Sequence, residues 1–211
     1  TYNSVHGGEI YNANLETPLW ATTRDNSEGW QNVKTIEGPK AEMSAHTAPT
    51  DRIVETMKPI SLTRREDGAW IVDFGKEISG WIHFRDLKGT KGDTLKVDYM
   101  SESVQGNMRY VMNGSGNEEY APRFTWFAFS KAVITGIDQL TTKNLTADVV
   151  NTDVARAADF HTTDTLFNRI NEIWQRSQLD NMHGGIASDC PHRERLPYTG
   201  DGEAACATVM H

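Results

Sequence analysis

Ala69-Trp-Ile-Val-Asp-Phe74, closed by Gly75, and Gly80-Trp-Ile-His-Phe84 decide how this chain begins to fold. A strand sends successive side chains to opposite faces, so these apolar runs of period two, ended by glycine, mark strands. Working outward, Thr94-Leu-Lys-Val-Asp-Tyr99 alternates strictly, and Phe124-Thr-Trp-Phe-Ala-Phe129 and Lys131-Ala-Val-Ile134 continue the pattern. Asp67-Gly68, Lys88-Gly89, Lys91-Gly-Asp93, Asn113-Gly114 and Gly116-Asn117 punctuate it at about 10-residue intervals, a spacing of antiparallel sandwiches rather than βαβ units. An antiparallel β-sandwich is expected. Upstream, a short alternating stretch from Glu9 to Leu15 is followed by Trp20 and Trp30 in polar surroundings, read as strands and loops.

Near residue 160 the period changes. Leu166, Phe167, Ile170, Ile173 and Trp174 fall at helical spacing, with Thr162, Thr163 or Asp164 available as the N-cap, so a helix is predicted over roughly 163–181. Gly184-Gly185 ends it. After a charged, Pro-containing loop, a second helix is read from Asp201 onward. The sequence lacks a starting Met and stops inside this helix, and is expected to be a piece of a longer chain.

Composition excludes several functions. Across 211 residues, 21 Lys and Arg stand against 29 Asp and Glu, a net charge of -8, which argues against a nucleic-acid partner. No apolar run approaches the roughly 18 to 20 residues of a membrane helix, so no membrane span is expected. Two cysteines, Cys190 and Cys206, build no disulfide framework, and they leave the compartment open among periplasmic, secreted and cytoplasmic. The oligomeric state is equally open. The sequons Asn113-Gly-Ser115 and Asn144-Leu-Thr146 carry meaning only in a eukaryotic secretory context.

Chemistry concentrates in one loop, Ser188-Asp-Cys-Pro-His-Arg-Glu-Arg-Leu-Pro-Tyr-Thr-Gly-Asp201. Three carboxylates, two arginines, a histidine and an aromatic between two helices suit glycosidic chemistry. That chemistry needs one carboxylic acid kept protonated for a leaving oxygen, and neighbouring carboxylates favour it. The two arginines beside Glu194 act in the opposite sense, and spacing alone does not decide between them. A blander account stands beside this one: Thr199 to Glu203 as a helix start with acidic residues on its dipole, and Arg193-Glu-Arg195 as an exposed ion-pair cluster. Cys190 with His192 lacks the second ligand pair zinc needs, and Cys190 lacks a base to make it a nucleophile, so no metal is assigned. Trp70, Trp81 and Trp126 lie on strand patterns and are read as core rather than sugar platforms.

Asp189-Cys-Pro-His-Arg-Glu-Arg-Leu-Pro-Tyr-Thr-Gly-Asp201 resembles the hallmark of the bacterial α-L-rhamnosidases of glycoside hydrolase family 78, Asp-Cys-Pro-Gln-Arg-Glu-Arg-Leu-Gly-Trp-Thr-Gly-Asp. Gly8-Glu-Ile-Tyr-Asn-Ala-Asn-Leu-Glu16, Val72-Asp-Phe-Gly75 with Gly80-Trp81, Tyr120-Ala-Pro-Arg-Phe-Thr125 and the Thr163-to-Asn168 stretch are similar to further motifs of that family, in the same order. The resemblance implies the end of an N-terminal β domain at 1–45, a β-sandwich at 46–152, and the start of an (α/α)6 six-hairpin catalytic domain at 153–211.

It further implies inverting hydrolysis of terminal α-L-rhamnosides in rhamnose-containing glycans or glycosides. Glu194 would be the general acid, and a second Glu outside this chain the base. Asp189, Arg193 and Asp201 would bind rhamnose hydroxyls, and Tyr198 would pack on the sugar's apolar face. No cofactor is implied, and the sequence carries no EF-hand-like loop that would hold an assisting calcium. His192, Pro197 and Tyr198 depart from the family's Gln, Gly and Trp, changes that bear on which sugar fits rather than on the acid. Two alternatives keep the same residues: a carbohydrate-binding protein without turnover, and an inverting glycosidase for another deoxy sugar or a uronic acid. With most of the barrel and the base elsewhere, this piece alone is expected to be catalytically dead or nearly so, with an exposed apolar stripe at Leu166, Ile170, Ile173 and Trp174.

Overall fold

The computed structural model describes residues 2–17, 19–24, 29–101, 104–196 and 198–209. Pro197 and the last two residues of the expected second helix lie outside this set. Along the chain come β1 (Tyr2–Ser4), β2 (Gly8–Asn12), a 3-10 turn at Ala13–Leu15, β3 (Asp51–Met57), β4 (Ser61–Arg64), β5 (Trp70–Leu87), β6 (Thr94–Met100), β7 (Val104–Val111), β8 (Glu118–Tyr120), β9 (Phe127–Thr135) and β10 (Leu145–Thr152). They are followed by α1 (Thr165–Asp180), the small hairpin β11 (Met182–His183) and β12 (Ile186–Ala187), and α2 (Thr199–Val209). No helix among the described residues is long and apolar enough to cross a membrane.

β1 to β10 form one hydrogen-bonded sheet, ordered β1-β2-β7-β6-β9-β5-β10-β3, with β4 and β8 also on β5. It is antiparallel throughout except where β2 runs parallel to β7. The expected mostly-β architecture is present, with its ten strands hydrogen-bonded without a break into a curled sheet. The reason lies in β5. The two runs predicted as separate strands are one 18-residue strand whose register against β9 shifts between Asp73 and Ile78, so a single strand joins β4, β8, β9 and β10. Gly75 takes φ 78° at this irregularity, a conformation costly for any residue with a Cβ. At Gly80 a Cβ would run into the Asp148 carbonyl of β10, so only glycine allows that close pairing.

Period two carries through to burial. Val72, Phe74, Ile78, Ile82, Phe84 and Leu87 of β5 enter one core with Val97, Tyr99, Met108, Phe127, Phe129 and Ile134. Tyr99 stacks on Phe127 with centroids 4.0 Å apart, and its hydroxyl accepts the Ile82 N–H at 3.1 Å. β1 and β2, in the stretch expected to close a preceding domain, extend this same sheet. Buried Glu9 of β2 accepts from the Tyr120 hydroxyl at 2.5 Å and from the Arg123 N–H at 3.4 Å, so two motifs distant in sequence meet through one carboxylate.

α1 begins where capping chemistry places it. Asp164 is the N-cap and accepts the Leu166 N–H at 2.8 Å, while Asn168 bonds Thr162 through both ends of its amide. The helix meets the sheet mainly at its C-terminal end, where buried Asp180 accepts the Ser79 N–H at 3.0 Å. Leu166, Phe167, Ile170 and Ile173 stay more than half exposed.

Candidate functional site

The loop from Ser188 to α2 carries the candidate residues, and the fold brings all five together. Asp189 lies just past β12, Arg193 and Glu194 sit in a turn, and Tyr198 and Asp201 lie at the start of α2. Tyr198 has its phenol pushed up, first by a hydrogen bond with Glu194 and by that carboxylate's charge, with the charges of Asp189 and Asp201 adding. Burial works to raise the Asp189 carboxyl, but hydrogen bonds from Cys190 and with Glu194 outweigh it and hold the group below the ordinary carboxylate range. Cys190 Sγ donates to Asp189 Oδ2 at 3.2 Å. Asp189 Oδ1 is shielded from solvent and has no hydrogen-bond partner among the described residues. The Arg193 guanidinium is held charged by its bond to Cys190 and by the charges of Glu194 and Asp189.

Asp201 also does what the bland account requires, placing a negative charge in the first turn of α2, where the helix dipole favours it. The other half of that account fails. Arg193 and Glu194 are exposed, but Arg195 is 7% exposed and faces the sheet. Its Nη1 donates to the Val5 and Trp126 carbonyls, both at 2.6 Å, and the guanidinium lies over the Trp126 and Phe127 rings at 5.1 and 5.5 Å. Hydrogen bonds from a charged donor are worth about 1.5–3 kcal/mol each, above an exposed ion pair.

Beneath the loop lies a junction that sequence reasoning missed. Trp126 stacks on His183 with centroids 3.8 Å apart and planes 7° apart. His183 Nδ1 meets Asp51 Oδ2 at 3.1 Å and its Nε2 meets Ser79 Oγ at 2.7 Å. The set looks like a serine-histidine-aspartate relay, but Ser79 has no exposed surface and cannot reach a substrate, so it joins α1, the hairpin and the sheet. Burial lowers the His183 pKa, although Asp51 works against the shift. Burial raises Asp180 to about 7 against the Ser79 N–H. Period and motif gave no hint of these partners: His183 precedes the Gly184-Gly185 pair, which reads as a helix stop.

The tryptophans read as core are half-buried instead. Trp70 packs against the core and donates to the Ile137 carbonyl at 3.1 Å, while Trp81 and Trp126 line a groove of about 440 Å³ with Phe124, Arg52 and Arg123. The larger groove, about 660 Å³, is lined by Arg64, Lys88, Asp93 and Asp138 among others and shares no residue with the loop.

Residues 63–151 match the bacterial alpha-L-rhamnosidase concanavalin-like domain, and residues 155–211 match the bacterial alpha-L-rhamnosidase 6 hairpin glycosidase domain. The chain belongs to the bacterial α-L-rhamnosidase family. Among its relatives, an alpha-L-rhamnosidase of Formosa agariphila is 28% identical over 229 residues, covering 100% of this chain and 24% of that protein. One of Streptomyces avermitilis is 25% identical over 97% of this chain and 21% of its own length. The solved α-L-rhamnosidase structure from Dictyoglumus thermophilum superposes with a TM-score of 0.91 at 28% identity, covering 99% of this chain and 25% of that one. The chain thus spans about a quarter of the length of the rhamnosidases it matches.

Proposed function

We propose that the protein carrying this chain removes terminal α-L-rhamnose from glycans or glycosides by inversion, with Glu194 as the general acid. The observation that carries this is the gathering of Asp189, Arg193, Glu194, Tyr198 and Asp201 at the start of α2, in a chain of the rhamnosidase family. In this reading residues 46–152 are the β domain, with β1 and β2 from the 1–45 stretch on its edge, and residues 153–211 open an (α/α)6 domain. The uncovered apolar face of α1 supports that plan, since such a stripe normally packs on neighbouring helices.

The chemistry follows from the groups present. Glu194 protonates the glycosidic oxygen as the bond to the anomeric carbon breaks. A base contributed from elsewhere in the protein activates water on the opposite face of the ring. Asp189, held below the ordinary carboxylate range, lies beside Glu194 and is ready to accept from the sugar. Asp189 and Asp201 accept from sugar hydroxyls, Arg193 donates to them, and the Tyr198 ring covers the apolar face of the deoxy sugar. No step calls for a cofactor.

Proton NMR of the first sugar released from an α-L-rhamnoside by the full-length protein tests this. The β anomer appearing first supports inversion. The α anomer appearing first removes the inverting mechanism, and no release removes the rhamnosidase reading.

A further inference from the structure

We propose that Arg195 is a positioning residue for Glu194, tying the acid's peptide to the β-sheet so that the β domain sets the acid's aim. This rests on the rhamnosidase reading of the loop and goes beyond it, since it assigns work to a residue that touches no substrate.

The argument begins with the backbone. Arg195 takes φ 53°, a left-handed conformation that a residue with a Cβ adopts only when its surroundings hold it there. The twist separates two neighbours: Glu194 stays exposed among Asp189, Arg193 and Tyr198, while Arg195 is buried on the other side of the chain. What holds the twist is in view. One nitrogen of the guanidinium bonds the carbonyls of Val5, just after β1, and of Trp126, just before β9, and the guanidinium plane lies over two aromatic rings.

The Trp126 anchor is itself fixed. Its ring stacks on His183, which bonds Asp51 at the start of β3 and Ser79 in β5. Two segments far apart in sequence therefore hold the Arg195 guanidinium, and a third and fourth, at Asp51 and Ser79, fix one of them through His183. Nearer the site, Arg193 interacts with Cys190, Asp189 and Glu194 and cannot take over the role, for it belongs to the loop it would have to anchor. A general acid must bring its oxygen to about 2.6–3.2 Å from the leaving oxygen, and a displacement of about 1 Å can cost a hundredfold in rate. Loosening the anchor should therefore injure proton donation before it injures sugar binding.

That distinction can be measured on the full-length protein. Departure of 2,4-dinitrophenolate from an α-L-rhamnoside needs little proton donation, whereas departure of methanol from methyl α-L-rhamnoside needs a great deal. Arg195→Met is expected to lose about ten- to a hundredfold in kcat on the methyl rhamnoside and under about threefold on the dinitrophenyl rhamnoside. KM should hold, and the alkaline limb of the pH profile should change. Arg195→Lys should recover part of the methyl rhamnoside rate, since an ammonium replaces one donor but not the planar fork. Equal losses on both substrates, or no loss in a folded Arg195→Met protein, overturn the proposal. If Arg195→Met does not fold, the same split at smaller amplitude is expected of Arg195→Lys, and its absence overturns the proposal. An unaltered protein that cleaves neither substrate removes the rhamnosidase reading first, and the positioning role with it.

Discussion

The His183 imidazole lies flat on the Trp126 indole, with ring centroids 3.8 Å apart and planes 7° apart. This contact, with the bonds of His183 to Asp51 and Ser79, seats the hairpin that follows α1 on the sheet, and the loop bearing Glu194 rests on the same indole through Arg195. The β part of the chain is therefore more than a neighbour of the candidate site, since it forms the floor under it.

Asp180 beside this stack gives the junction a pH signature. Its carboxyl is raised to about 7 in the folded chain, chiefly by burial, against about 3.9 in an unfolded one. Between those values the folded state holds a proton that the unfolded state has lost, so stability falls as pH rises through that window. Asp180→Asn stays neutral and keeps an oxygen for the Ser79 N–H. Urea titrations from pH 4 to 8 should show the unaltered protein losing up to about 1.4 kcal/mol per pH unit relative to the variant. Parallel curves would refute the assignment. His183 titrates in both proteins and cancels in the comparison.

Tyr99 tests the core. Its ring sits against Phe127 and Phe129, and its hydroxyl takes the Ile82 N–H and donates to Met108 Sδ. Tyr99→Phe keeps the rings and strands that N–H, so it should cost about 1–2 kcal/mol in the urea midpoint. A neutral substitution would mean that the hydroxyl is not the amide's partner.

β5 and β6 were legible because each buries one face, which writes period two into Val72, Phe74, Leu95, Val97 and Tyr99, whereas β3, nearly all exposed, and β10, nearly all buried, carry no such alternation. The start of α1 was legible for a similar local reason, although Asp164 was one of three candidate caps. That β5 is a single bent strand was not, because Gly75 and Gly80 read equally well as ends of two strands. The five candidate residues lie within 13 positions of each other and could be named together, but Arg195 could not be told from its exposed neighbour Arg193. Only tertiary contacts with Val5 and Trp126 turn one inward. Asp51, Ser79 and His183 meet across more than a hundred positions, and a single sequence carries no trace of that pairing.

Tyr198 is the aromatic where the family pattern has Trp, and its hydroxyl is bonded to Glu194. Tyr198→Phe should therefore lower kcat/KM about tenfold on a poor leaving group, with little effect on an activated aryl rhamnoside. Tyr198→Trp should restore the apolar platform but not that bond. If Tyr198→Phe leaves the poor-substrate rate unchanged, the bond has no catalytic part.

Alone, the 211-residue chain should neither hydrolyse rhamnosides at a useful rate nor stay monomeric, because Leu166, Phe167, Ile170 and Ile173 remain uncovered and the proposed mechanism takes its base from elsewhere in the protein. Sedimentation velocity should show association that Leu166→Lys with Ile170→Lys reduces. Turnover near that of the full-length protein would contradict the division of labour proposed here.

The central claim is that Glu194 is the general acid of an α-L-rhamnosidase. It is tested most directly by nitrophenol release from p-nitrophenyl α-L-rhamnoside, comparing the full-length protein with its Glu194→Gln variant at matched concentration and fold. The account predicts turnover by the unaltered protein and a loss of about a hundredfold or more in the variant. Equal turnover by the two proteins, or none by either, would contradict it.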